Sequence, residues 1–233
     1  MRFYKYQGTG NDFIITDDLR ENEVKWLCDN HYGIGADGVI LVKDIYEDII
    51  EIKIYNKDGS EANVCGNGLR CVGAYLKEKL NKNKYKIKTI SGVYKVNCIS
   101  EEEYEVEFSK ESKIGKIDDI YVVNCGNDHV FTIKDNIEFS EFVREISEKY
   151  DSNIEKVNII DKNNIEIRVY ERGVGETFAC GSACVAVVSA LFKDKLVNKK
   201  VNCYLKGGLL QVRIKGKYIY LRGNAKKVYK GEV

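Results

Sequence analysis

Ile50-Glu51-Ile52-Lys53-Ile54-Tyr55 returns as Ile165-Glu166-Ile167-Arg168-Val169-Tyr170, 115 positions further on (165 − 50). Each copy alternates apolar and charged residues, the pattern of a strand with one buried face. Such alternation is common and proves little alone. The residues beyond each copy are more telling. At the same offset, without a gap, Lys57 maps onto Arg172, Glu61 onto Glu176, Cys65 onto Cys180, Gly66 onto Gly181 and Leu76 onto Leu191. Working outward, Gly10-Asn11-Asp12 matches Gly126-Asn127-Asp128 at an offset of 116 (126 − 10), with Thr16 on Thr132. The stretch from Gly92 to Val96 matches Gly208 to Val212 at that same spacing. Three blocks in one order at a nearly constant offset predict two halves of one fold, 1–112 and 113–233, meeting between Lys110 and Ile120.

The patterns between these blocks predict strands over Phe13–Thr16, Val39–Val42, Tyr85–Thr89, Tyr94–Asn97, Tyr104–Phe108, Val130–Ile133, Val201–Leu205, Leu209–Ile214 and Tyr218–Leu221. Helices are expected over Asn22–Asn30, Leu69–Leu80, Ser140–Lys149 (with Ser140 as N-cap) and Ala183–Leu196. The fold class is therefore α/β (α+β): two pseudo-symmetric halves, each a mostly antiparallel sheet wrapped on a helix that begins at a Cys-Gly pair. A ligand site is expected in a cleft between the halves.

The bulk properties narrow the function. The chain has 233 residues, 44% of them hydrophobic and 31% charged, with a net charge of +1. That balance calls for neither nucleic acid nor a membrane surface. No apolar run reaches the roughly 18 residues of a membrane span. The first residues, Met1 to Gly8, lack the apolar core of a signal peptide, so a cytoplasmic location is expected. The eight cysteines (28, 65, 71, 98, 125, 180, 184 and 203) are then expected as reduced thiols. None of the close pairs has the C-x₂-C spacing of a structural zinc knuckle, so no metal is expected. Gly33-Ile34-Gly35-Ala36-Asp37-Gly38 fits G-x-G-x-x-G but lacks a preceding strand, and reads as a glycine-rich turn rather than a dinucleotide site.

Val64-Cys65-Gly66-Asn67-Gly68 and Ala179-Cys180-Gly181-Ser182-Ala183 each place a thiol where a helix starts. Unpaired amides and the helix dipole there bind anions and lower a thiol's pKa. Two such ends facing one ligand would hold a carboxylate and set the neighbouring α-carbon between two thiols. One thiolate would remove the α-proton and the other thiol would deliver a proton to the opposite face. Negative charge spreading onto the carboxylate would meet the helix ends. That route needs no electron-sink cofactor, and none is expected.

The matching stretches together resemble the diaminopimelate epimerase family. They are Gly10-Asn11-Asp12-Phe13, His31 to Gly38, Asn56 to Glu61, Cys65 to Gly68, Gly126-Asn127-Asp128-His129, Val157-Asn158, and Glu171 to Thr177 running into Ala179-Cys180-Gly181-Ser182. The resemblance implies two similar α/β halves and cofactor-independent interconversion of LL- and meso-diaminopimelate. It implies Cys65 and Cys180 as the acid/base pair, and Gly66, Asn67, Gly181 and Ser182 as holders of the reacting carboxylate. Asn11, Asn56, Asn127, Asn158, Glu171 and Arg172 fall on substrate-contacting positions, with Arg172 for the distal carboxylate and Glu171 for an ammonium. His129 falls on a position that tunes the thiols. The expected partner is a small amino-acid substrate; a homodimer is left open. A relative of the same mechanism acting on histidine or lanthionine, and a non-catalytic scaffold for a small anion or a protein partner, are the alternatives.

Overall fold

The computed structural model describes residues 1–46, 48–109 and 112–233; Lys110 and Glu111, at the expected boundary between the halves, lie outside the described residues. The chain divides into two compact units. Unit 1 comprises Met1–Glu107 with Arg222–Val233, and unit 2 comprises Phe108–Leu221.

Unit 1 runs β1 (Arg2–Gly8), β2 (Asn11–Thr16), the single-turn α1 (Val24–Leu27), β3 (Gly38–Tyr46), β4 (Ile49–Asn56), β5 (Glu61–Ala62), α2 (Gly66–Leu80), β6 (Lys84–Thr89), β7 (Gly92–Cys98) and β8 (Glu103–Ser109). Unit 2 continues with β9 (Lys113–Ile117), β10 (Ile120–Asn124), β11 (Asp128–Thr132), α3 (Phe139–Ser147), β12 (Asn153–Asp161), β13 (Asn164–Glu171), β14 (Gly175–Thr177), α4 (Gly181–Lys193), β15 (Lys200–Leu205) and β16 (Gly208–Lys215). β17 (Tyr218–Asn224) carries the chain back, and β18 (Lys226–Glu232) ends it in unit 1.

The repeat seen in the sequence is a repeat of topology. In unit 1 the pairing runs β1–β2 antiparallel, β2–β3 parallel, β3–β4 antiparallel, β4–β6 parallel and β6–β7 antiparallel, with β5 on β4. Unit 2 repeats it as β10–β11, β11–β12, β12–β13, β13–β15 and β15–β16 with the same senses, and β14 on β13. Beyond β1 the next strand is β18; beyond β10 it is β9. The residues 222–233 thus belong with unit 1, whereas the sequence placed everything after 112 in one half. The antiparallel ladder from β18 to β1 is what moves them.

The central strands are covered on both faces, which is why β1 is buried almost throughout, whereas β6 and β13 alternate buried and exposed residues. In unit 1, Phe3, Ile14, Val39 and Tyr55 pack with Val24 and Leu27 of α1 on one face. α2 lies against β1, β2 and β7, with Tyr75 edge-on to Tyr4 and Tyr6. In unit 2, Val130 and Ile154 pack against Phe142 and Ile146 of α3, and α4 covers β10, β11, β12 and β16. Both central helices begin directly after their cysteines, two residues or more before the start that patterning suggested. The N-cap of α3 is Glu138, not Ser140, which already lies inside the helix. Gly33 to Gly38 form a turn folded onto α1, with the Ile34 and Gly35 amides donating to Leu27 O at 3.0 Å. No helix among the described residues is long and apolar enough to cross a membrane.

Candidate active site

In unit 1, β1 and β2 are joined by Thr9-Gly10, with φ of 57° and 80°. Two successive residues at positive φ make a tight hairpin that matches the strand twist. A threonine rarely tolerates that conformation, and here both its amide and hydroxyl are tied to Asn224 Oδ1, at 2.9 and 3.2 Å. The turn delivers Asn11, whose Oδ1 is buried without a hydrogen-bond partner among the described residues. Gly8 passes close to α2 and to the end of β17: an added Cβ would lie 3.2 Å from Asn224 O and 3.3 Å from Cys71 Sγ.

Cys65 is extended (φ −137°, ψ 114°) and its Sγ accepts from Gly68 N at 3.3 Å. The sulfur thus stands where an N-cap oxygen would. Gly66 and Asn67 are buried beneath it. Asn56, opposite Gly38, ends β4 exposed and donates to Ser60 Oγ at 3.0 Å.

Unit 2 repeats the arrangement with different electrostatics. Cys180 is again extended (φ −124°, ψ 116°) at the head of α4, 6% exposed, with Sγ 3.3 Å from Ser182 Oγ. Burial, then the charge of Glu171, push its thiol well above the ordinary range; the Ser182 hydroxyl and Ala183 amide oppose this more weakly. Burial here opposes the lowering expected of a helix end. Glu171 is raised too, mainly by burial, although Thr177 Oγ1 donates to it at 2.6 Å and Cys180 is also within hydrogen-bonding reach.

His129 is fully buried, its Nδ1 2.6 Å from Oε1 of the equally buried Glu155. Burial lowers its pKa, but the Glu155 carboxylate and the nearby Cys125 sulfur more than reverse that, raising it to about 10. Nε2 meets no group with hydrogen-bond geometry among the described residues. Cys125 Sγ also approaches Ser182 O, at 3.7 Å, linking this pair to the first turn of α4. Asn127 lies in the preceding turn, its carbonyl accepting from Cys125 N at 3.2 Å.

Arg172 is exposed and donates to Asp151 Oδ2 at 2.9 Å, while its amide donates to Asn153 Oδ1 at 3.1 Å. Within unit 2 the strand register sets Asn158 apart from Glu171 and His129. Along β12, His129 pairs with Asn153 and Tyr170 with Ile154, so Asn153 stands at the Glu171 end. Asn158 pairs with Glu166, five residues and about 17 Å along the strand. An odd separation also turns it to the opposite face, the one Ile154 presents to α3. Asn153, Glu155, Cys125 and Arg70 were not singled out in the sequence. Asn153-Ile154-Glu155 becomes a signal only once the β12 register is known. Among the described residues no group of three or more His, Cys, Asp or Glu side chains is placed to hold a metal ion.

Two units of one topology, each with a thiol at the head of its central helix, define a fold found in known epimerases. A predicted epimerase from Pseudomonas aeruginosa superposes with a TM-score of 0.78 at 13% identity, covering 100% of this chain and 98% of that one. A hydroxyproline epimerase from Agrobacterium vitis gives 0.72 at 12%, covering 99% and 91%. Sequence similarity goes beyond this shared fold. The family model for diaminopimelate epimerase matches residues 3–114 and 121–228. The diaminopimelate epimerase of Methanococcus maripaludis is 33% identical over 275 residues, covering 100% of this chain and 99% of its relative. That of Caldanaerobacter subterraneus subsp. tengcongensis is 35% identical over 276, with the same coverage. The chain belongs to the diaminopimelate epimerase family.

Proposed function

We propose that this isomerase interconverts LL- and meso-2,6-diaminopimelate by moving the α-proton between Cys65 and Cys180 without a cofactor. The observation that carries the reading is the pair of extended cysteines, each heading the central helix of its unit, at positions related by the repeat. A substrate carboxylate would sit on the amides of Gly66, Asn67, Gly181 and Ser182, where the helix ends favour the charge that develops as the α-proton leaves. Cys180, buried beside Glu171, favours the protonated thiol; in each direction of the reaction one cysteine would act as base and the other as donor, and the roles would exchange on reversal. Glu171 would bind the substrate ammonium, with Asn11 Oδ1 as a further acceptor. Arg172, Asn56, Asn127 and Asn153 would hold the distal end, Asn153 in place of Asn158.

The test is α-proton exchange in D₂O, monitored by NMR, with LL-diaminopimelate beside histidine, lanthionine and other amino acids. Exchange and inversion of diaminopimelate are expected, and are expected to vanish in Cys65→Ala and in Cys180→Ala. Full inversion by either variant rules out the two-base reading. Exchange of another amino acid alone keeps the mechanism and replaces the substrate.

A further inference from the structure

Arg172 stands in a tight turn between β13 and β14: Val174 N donates to Glu171 O at 3.0 Å, and Gly173 takes a φ of 76°. Its own amide is held by Asn153 Oδ1, and Asn153 Nδ2 donates in turn to Asp128 O at 3.3 Å. The backbone from which the side chain springs is therefore fixed. It is also close to the chemistry, since Glu171, one residue back, lies within hydrogen-bonding reach of Cys180.

The guanidinium itself is tied at one corner. Such a group carries five N–H donors in a planar fork. Nη1 donates to the Asp151 carbonyl oxygen at 3.2 Å and to Asp151 Oδ2 at 2.9 Å, so both its hydrogens are spent on one residue. Nε and Nη2 meet no partner among the described residues, and the side chain is 57% exposed. Their hydrogens lie along the opposite edge, the one that takes a carboxylate bidentately. An exposed ion pair alone orders little. Here a carbonyl of the same residue shares the nitrogen, and the arginine's own backbone is held.

The repeat shows that only one unit has this anchor. At the offset of 115, Arg172 maps onto Lys57 (172 − 57), Asp151 onto Ala36 (151 − 36) and Asn153 onto Gly38 (153 − 38). A lysine is a point charge with no bidentate edge, and alanine and glycine side chains have nothing to hold it with. Diaminopimelate carries an amino-acid group at each end, so a site that reacts at one end needs a distinct set of groups for the other.

We propose that Asp151 is a positioning residue that pins the Arg172 guanidinium by Nη1, so that the open Nε–Nη2 edge receives the distal carboxylate. The proposal rests on the reading that Arg172 binds that carboxylate.

Two measurements test it, both on Asp151→Ala. The Asp151 side chain is 85% exposed, so this variant is expected to fold as wild type does. The first measurement needs no substrate. In ¹⁵N-labelled protein the Arg172 Nε–H signal, identified by its loss in Arg172→Lys, is expected to show an order parameter above about 0.6, and the variant to drop it below that value. A mobile Nε in wild type, or an equally rigid one in the variant, overturns the proposal. The second is steady-state inversion. The variant is expected to raise KM for diaminopimelate by about fivefold or more while kcat changes by less than about twofold, because ground state and transition state lose the same contact. In an Arg172→Lys background the same change is expected to alter KM by less than about twofold. Equal losses in both backgrounds, or a loss confined to kcat, overturn the proposal. Wild-type KM in Arg172→Ala, or wild-type protein that does not invert diaminopimelate, strikes the underlying reading, while the Nε signal still decides whether Asp151 holds the guanidinium.

Discussion

His129 holds its proton far more tightly in the folded chain than the ordinary value of 6.5 allows, at about 10. A group whose pKa is raised by folding stabilises the fold fully below its ordinary value, and that stability drains away as pH rises through the folded value. The urea midpoint is therefore expected to fall steadily from pH 6.5 upward. Measured up to about pH 7.5, roughly one unit below the ordinary thiol pKa of about 8.5, the slope is largely separable from the buried thiols. His129→Gln alone strands Glu155 in the interior, at a cost of about 3–5 kcal/mol. The double variant with Glu155→Gln removes both charges and is expected to flatten the slope; an unchanged slope there would assign the proton elsewhere. At this scale Cys65 and Cys180, the proposed acid/base pair, are legible in the sequence because the repeat singles them out. Glu155 was not, since a glutamate followed directly by a lysine looks solvent-facing until its strand is known to be covered on both sides.

The same blindness explains which elements escaped. β1 reads Arg-Phe-Tyr-Lys-Tyr-Gln-Gly and β12 reads Asn-Ile-Glu-Lys-Val-Asn-Ile-Ile-Asp. Neither alternates cleanly, because each turns polar groups inward. Lys5 is buried against Asp12 at 2.9 Å, and Glu155 against His129. β4 and β13, with charged residues on one face only, were plain. Without the β12 register nothing in the sequence sets Asn158 apart from Asn153. The register now separates them. Asn153→Ala is expected to lower kcat/KM by about tenfold or more, through lost contacts at the Glu171 end, and Asn158→Ala to change it by less than about twofold. Steady-state kinetics of the two variants decides; the reverse order would mean that the β12 ladder is shifted in solution.

For the whole molecule, the feature least visible in the sequence is the return of the chain to unit 1. β18 pairs with β1 over six residues, from Arg2 opposite Glu232 to Gln7 opposite Lys226. The repeat argued for a simple division near residue 112, because the blocks that carry it lie in β2, β4, β7 and their counterparts, all internal to a unit. Deleting residues 226–233 is expected to leave β1 as an open edge. Amide exchange should then lose protection along β1 and β2, while β11, β12 and β13 keep theirs. Uniform loss in both units would show that they unfold as one. Unit 2 is a single uninterrupted stretch, Phe108–Leu221, and unit 1 is not. During synthesis the unit translated second is thus the first to own all its strands. The nascent N-terminal sheet must keep its β1 edge unpaired until the ribosome has passed Glu232, exposed to just the edge-to-edge association that β18 later prevents.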